Sequence, residues 1–121
     1  MKLPDFPEDA VLQYMSANRE GEWRGFRILS DGRLLRTSRE GAWEQDAPLS
    51  KQRLSQVRAA LAEAPLQAGA ERYGADPPPD DPSGWALMAR LDGGAATRSG
   101  LGCRPGFVDD LIARIAPLLT P

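Results

Sequence analysis

Asp31-Gly32 stands between two apolar-rich runs, Gly25-Phe26-Arg27-Ile28-Leu29 and Leu34-Leu35-Arg36-Thr37. Both residues tolerate the positive φ that a tight, twisted turn requires, so the pair predicts a β-hairpin. An Arg-Glu-Gly-x-Trp pattern occurs on either side of it, at Arg19-Glu20-Gly21-Glu22-Trp23 and again at Arg39-Glu40-Gly41-Ala42-Trp43. Glycine between short extended runs predicts a further turn at each. With Ala10 to Ala17 as the first strand, residues 10–46 form a four-strand antiparallel meander.

The rest of the chain adds to that meander. Ser50 is a good helix N-cap, and Leu49 with Leu54 has the spacing of a hydrophobic staple. Leu54, Val57, Leu61 and Ala64 then lie on one helical stripe, ended by Pro65. Residues 65–84 are rich in Pro and Asp and predict a long irregular loop. Trp85, Leu87, Ala89 and Leu91 alternate as one face of a fifth strand, which Asp92-Gly93-Gly94 turns into a sixth. Pro105 suits the first turn of a closing helix whose Phe107, Val108, Leu111, Ile112, Ile115, Leu118 and Leu119 make a broad apolar stripe; Pro117 ends or kinks it. The expected fold is α+β: a single domain of order ββββ-α-ββ-α, with an antiparallel sheet and two amphipathic helices packed on one of its faces.

Several chemistries are improbable. None of the 121 residues is histidine. The commonest metal ligand and the commonest general acid/base are therefore absent. A single cysteine, Cys103, excludes an internal disulfide. The paired carboxylates have plain explanations: Asp80-Asp81 lies among prolines, and Asp109-Asp110 suits the positive end of a helix. The glycine-rich stretch Gly100 to Gly106 lacks both a following βαβ unit and the Lys-Ser/Thr of a phosphate loop. No cofactor, metal site or catalytic residue is expected, and the chain reads as non-enzymatic. The formal charge of -2 gives no global field for nucleic acid. The acidic, proline-containing start does not resemble a signal peptide and no stretch is of transmembrane length, so the expected setting is the cytoplasm, without a membrane partner.

A partner-binding surface is the remaining function class. Two-residue turns at Glu20-Gly21, Asp31-Gly32 and Glu40-Gly41 place Met15, Phe26, Ile28 and Leu35 on the helix face. The opposite face then collects Leu12, Tyr14, Trp23, Arg27, Leu29, Leu34, Arg36 and Trp43, with Tyr14, Arg27 and Arg36 in one cross-strand row. Arg, Tyr and Trp dominate binding hot spots, and Arg over an aromatic ring is attracted to it. A solvated face whose Arg stems cover apolar neighbours is the competing reading. The cross-strand Arg27/Arg36 row depends on the register. A three-residue Ser30-Asp31-Gly32 turn with a bulge shifts the pairing by one and dissolves the Arg27/Arg36 pair.

Gly25-Phe26 through Ser30-Asp31-Gly32-Arg33-Leu34, followed by Leu49-Ser50, an Ala/Leu-rich helix and a later strand pair ending in a Leu/Ile-rich helix, resembles emfourin-type proteins. The resemblance spans about residues 12–118 in element order and departs from it at Trp23-Arg24-Gly25-Phe26 and in the long loop. It implies a small bacterial protein-binding domain that inhibits thermolysin-like metallopeptidases such as protealysin. The alternatives are single-stranded nucleic acid, held by the Arg/Trp sheet face, and a homo-oligomeric or immunity-type partner on the same face.

Overall fold

The computed structural model describes residues 3–73, 83–102 and 104–120. Strands β1 (Ala10–Ala17), β2 (Trp23–Leu29), β3 (Leu34–Thr37) and β4 (Trp43–Asp46) form the expected meander. Helix α1 (Lys51–Glu63) follows, then β5 (Gly69–Tyr73), β6 (Gly84–Leu91), β7 (Gly94–Leu101), helix α2 (Gly106–Ile115) and a 3-10 turn at Ala116–Leu119. Among the described residues the strands make one sheet of seven, in the order β4-β3-β2-β1-β6-β7-β5.

The α+β class holds, but the sheet is mixed rather than purely antiparallel. β5 pairs parallel to β7, inside the stretch 65–84 expected to be a loop. Gly-Ala-Glu-Arg-Tyr carries neither apolar alternation nor β-branched residues, so nothing local marks it as a strand. Its partners impose the conformation. Arg98 of β7, only 4% exposed, donates from Nη1 to the Gly69 carbonyl (2.8 Å) and from Nη2 to the Gln67 carbonyl (2.8 Å). Tyr73 closes the strand by packing against Trp85 (centroids 5.9 Å apart) and edge-on to Phe107 (6.4 Å). Asp80-Asp81 and Cys103 lie outside the described residues.

Each meander turn has three residues rather than two. At the β1–β2 turn the Asn18 amide donates to the Glu22 carbonyl, and the Gly21 amide to the Asn18 carbonyl. Leu29 with Arg33 and Gly32, and Ser38 with Ala42 and Gly41, repeat both bonds at the next two turns. Gly21, Gly32 and Gly41 have φ of 79°, 94° and 86°, the left-handed position of a turn closed by a glycine bulge. The extra residue reverses each strand relative to its neighbour. Tyr14 therefore faces Phe26, and Phe26 faces Arg36. Arg27 lies between Gln13 and Leu35, while Trp43 pairs with Thr37.

The corrected register defines two faces. One row, Glu44-Arg36-Phe26-Tyr14-Leu87-Arg98-Glu71, crosses all seven strands on the helix side. Beside it Leu34, Ile28, Leu12 and Ala89 join Val57, Ala60 and Leu61 of α1 and Val108, Leu111 and Ile115 of α2 in the main core. Met15 and Leu35, expected on that side, lie on the other, whereas Leu12 and Leu34, expected on the other, lie here because the three-residue turns shift the pairing by one. The Ser50 hydroxyl accepts from the Arg53 amide (3.1 Å), capping α1 as its position predicts. α2 ends at Ile115, and Pro117 falls in the 3-10 turn that follows.

Candidate protein-binding surface

The row Gln45-Leu35-Arg27-Gln13-Met88-Thr97 crosses the sheet's second face, away from the helices. Its centre is buried: Gln13 is 1% exposed, Met88 4%, and Met15 and Ser99 3% each. A polar amide at 1% exposure requires partners. Gln13 finds them in the segment before β1 and in β2, donating from Nε2 to the Asp5 carbonyl (2.8 Å) and accepting at Oε1 from Arg27 Nε (2.6 Å). Arg27 Nη2 also donates to the Asp5 carbonyl (3.3 Å). The irregular lead-in thus lies across the middle of this face.

Arg27 is consequently not the free cation of a solvated sheet. Its guanidinium carbon stands 4.1 Å from the centroid of the Trp43 ring. Burial lowers its pKa from the usual value, and the Asp9 and Asp5 charges oppose that shift. Trp43 is on the β4 edge, and Trp23 lies on the same side of the sheet as Arg27, four residues earlier in β2. Trp23, Arg27, Leu35 and Trp43 are all half-buried. They lie on one side of the sheet as a partly apolar surface beside the lead-in, with Trp43 stacked on Arg27.

Tyr14 and Arg36 do not belong to it. Tyr14 lies on the helix side, its ring 6.3 Å from that of Phe26, and burial raises its pKa against the opposing effect of Arg104. Arg36 is exposed on that same side, donating from Nε to Asp46 Oδ2 (2.7 Å) across the β3–β4 pair. Of the five candidate partner-binding residues, Trp23, Arg27 and Trp43 thus part from Tyr14 and Arg36, because each meander turn has three residues rather than two. Gln13 and Leu35 were missed as members. Gln13 sits in a run of β-formers with no local sign of a polar anchor, and Leu35 was assigned to the helix face by the two-residue turns.

No group of three or more His, Cys, Asp or Glu capable of holding a metal ion occurs among the described residues. Three carboxylates outside the lead-in are ion-paired with nearby arginines: Asp31 with Arg33, Asp46 with Arg36, and Asp109 with Arg104. No helix is long and apolar enough to cross a membrane. No family model, curated protein or solved structure matches this chain.

Proposed function

We propose that the protein is a non-enzymatic protein-binding domain that presents Trp23, Arg27, Leu35 and Trp43 to its partner. The observation that carries this reading is the Arg27–Trp43 stack at 4.1 Å. It holds a large amphipathic ring in place beside two further half-buried apolar side chains. Pre-ordered aromatic and arginine side chains lose little entropy when a partner covers them, which is why they recur as interface hot spots. The resemblance to emfourin-type proteins supplies the partner class: a thermolysin-like metallopeptidase.

The nucleic-acid alternative loses its main support. It rested on a Tyr14/Trp23/Arg27/Arg36/Trp43 face, and Tyr14 and Arg36 stand on the opposite side of the sheet from the other three. Arg36 is ion-paired, and Arg27 is engaged with Gln13, Asp5 and Trp43. The test is hydrolysis of a peptide substrate by thermolysin-type enzymes with the protein in excess. Inhibition that Trp43→Ser weakens at least about tenfold supports the reading. Unchanged rates across several such peptidases remove the metallopeptidase as partner. Inhibition indifferent to Trp23→Ser and Trp43→Ser removes this surface.

A further inference from the structure

The segment before β1 is held as a bound peptide is held. Its backbone carbonyls, more than its side chains, receive the sheet's hydrogen bonds. Gln13 and Arg27 donate to the Asp5 carbonyl, and Arg90 Nη2 donates to the Pro7 carbonyl (2.9 Å). The donors come from β1, β2 and β6, three adjacent strands, and Gln13 is 1% exposed. One side chain of the segment is read directly: the Arg90 guanidinium carbon lies 4.8 Å from the centroid of the Phe6 ring. Arg90 is itself oriented by donating from Nε to the Ala10 carbonyl (3.1 Å). At the segment's other end, Asp9 accepts at its carbonyl from the Ser30 amide (2.7 Å) and lies 4.0 Å from Arg33.

The sequence of the segment, Leu3-Pro4-Asp5-Phe6-Pro7-Glu8-Asp9, suits this mode. Proline at 4 and 7 disfavours helix at the residue before each and lowers the entropy lost on ordering an extended chain. Pro7 has no N–H to satisfy, and its carbonyl accepts both from Arg90 and from the Ala10 amide (3.0 Å). Acidic residues complement Arg27 and Arg33. Main-chain carbonyls are common to all peptides, so a chain of similar side-chain chemistry could make the same contacts.

Resting on the protein-binding reading above, we infer that this face is a recognition site for extended, acidic segments containing an aromatic-proline pair, and that residues 3–9 occupy it in cis. The partner contributes such a segment, which replaces residues 3–9 on Gln13, Arg27 and Arg90 while the adjoining Trp23/Trp43 surface takes its neighbouring residues. A tethered occupant competes at an effective concentration in the millimolar range, so the site is guarded against weak ligands.

The experiment uses the full chain and a labelled synthetic peptide of residues 3–9. Phe6→Ala removes the ring held by Arg90 from the resident segment while leaving it in the peptide. Peptide anisotropy should show binding to Phe6→Ala about tenfold tighter than to the unaltered protein. Adding Arg90→Met to Phe6→Ala should abolish that gain. Equal affinity for the Phe6→Ala and unaltered proteins, or a gain that survives Arg90→Met, overturns the inference. Amide exchange on the unaltered protein covers the case in which Phe6→Ala does not fold. Millimolar peptide should then speed exchange at the Ala10 amide, which donates to the Pro7 carbonyl, and leave the β2 amides unchanged; no change at Ala10 overturns it. Peptidase inhibition lost with Trp43→Ser, without any peptide binding, would remove this inference and leave the protein-binding reading standing.

Discussion

Gly32 holds a backbone conformation that a side chain would strain, and it also has no room for one. A Cβ there would lie 2.9 Å from the Leu49 carbonyl oxygen, and the Gly32 carbonyl accepts from the Leu49 amide at 2.8 Å. The central turn is thereby fastened to the entrance of α1. Gly21 has a similar positive φ, yet nothing stands within 4 Å of its Cβ position. Gly21→Ala should cost about 1–2 kcal/mol from backbone strain alone, and Gly32→Ala should cost about 1–3 kcal/mol more from crowding. Urea unfolding of the two variants measures the difference; equal losses would show that the Leu49 contact is not felt. The turn carboxylates respond to acid. The Arg33 amide, followed by the Arg33 guanidinium, holds Asp31 below its ordinary range; the Ala47 amide and then Arg36 do so for Asp46. Depressed folded-state values mean that this stabilisation is complete above the unfolded pKa of about 4 and is lost as pH falls through the folded values. An NMR titration of both carboxyl groups should give midpoints below those of the acid-unfolded chain. Both groups are exposed, so the effect on stability is small.

β5 is the element whose existence depends most on a single distant side chain. Arg98 brings its guanidinium to the carbonyls of Gln67 and Gly69, and Glu71 lies 3.7 Å from its Nε. Arg98→Met keeps the length and apolar stem and removes every one of those bonds. It should destabilise the protein by about 2–4 kcal/mol, and amide exchange should accelerate in β5 and β7 before β1 and β2. Uniform acceleration would mean that β5 is not a separately anchored element. Gly100→Ala tests the same pairing from the backbone side, since a Cβ at Gly100 would lie 2.1 Å from the Tyr73 carbonyl oxygen. α1 depends on a local device instead: Ser50→Ala should cost about 1 kcal/mol through the loss of its bond from the Arg53 amide.

For the whole molecule, the two faces have different work. The helix side carries the main core, and its row from Glu44 to Glu71 is apolar in the middle and charged towards both edges. The far side buries a smaller layer under the lead-in and leaves the Trp23–Leu35–Trp43 surface half-covered. Substitutions should separate accordingly. Tyr14→Phe with Arg36→Ser should leave partner affinity within about twofold, whereas Trp23→Ser with Trp43→Ser should weaken it at least about tenfold. Calorimetric binding to an inhibited peptidase, with melting temperatures as the control for folding, measures both pairs. A loss of affinity in the Tyr14/Arg36 variant would move the interface to the helix side.

Local pattern determined a good deal of this protein. Glycine-punctuated extended runs dictated four strands in meander order, Ser50 and Leu49 dictated where α1 begins, and the alternation of Trp85, Leu87, Ala89 and Leu91 dictated which face of β6 packs toward the helices. The lack of histidine removed His-based triads and histidine metal ligands. These features depend on neighbours one to four residues away, where sequence and geometry are directly linked. Tertiary structure alone decided the rest. A three-residue and a two-residue turn share the same Asp-Gly signature, and the one-residue difference moves Tyr14 and Arg36 to the opposite face from Arg27. β5 exists because Arg98 and β7 receive it, and the lead-in is ordered because Gln13, Arg27 and Arg90 converge from three strands. The Asp31-Gly32 hairpin organises the fold as its sequence indicates, but the third residue of its turn determines which side chains can meet a partner.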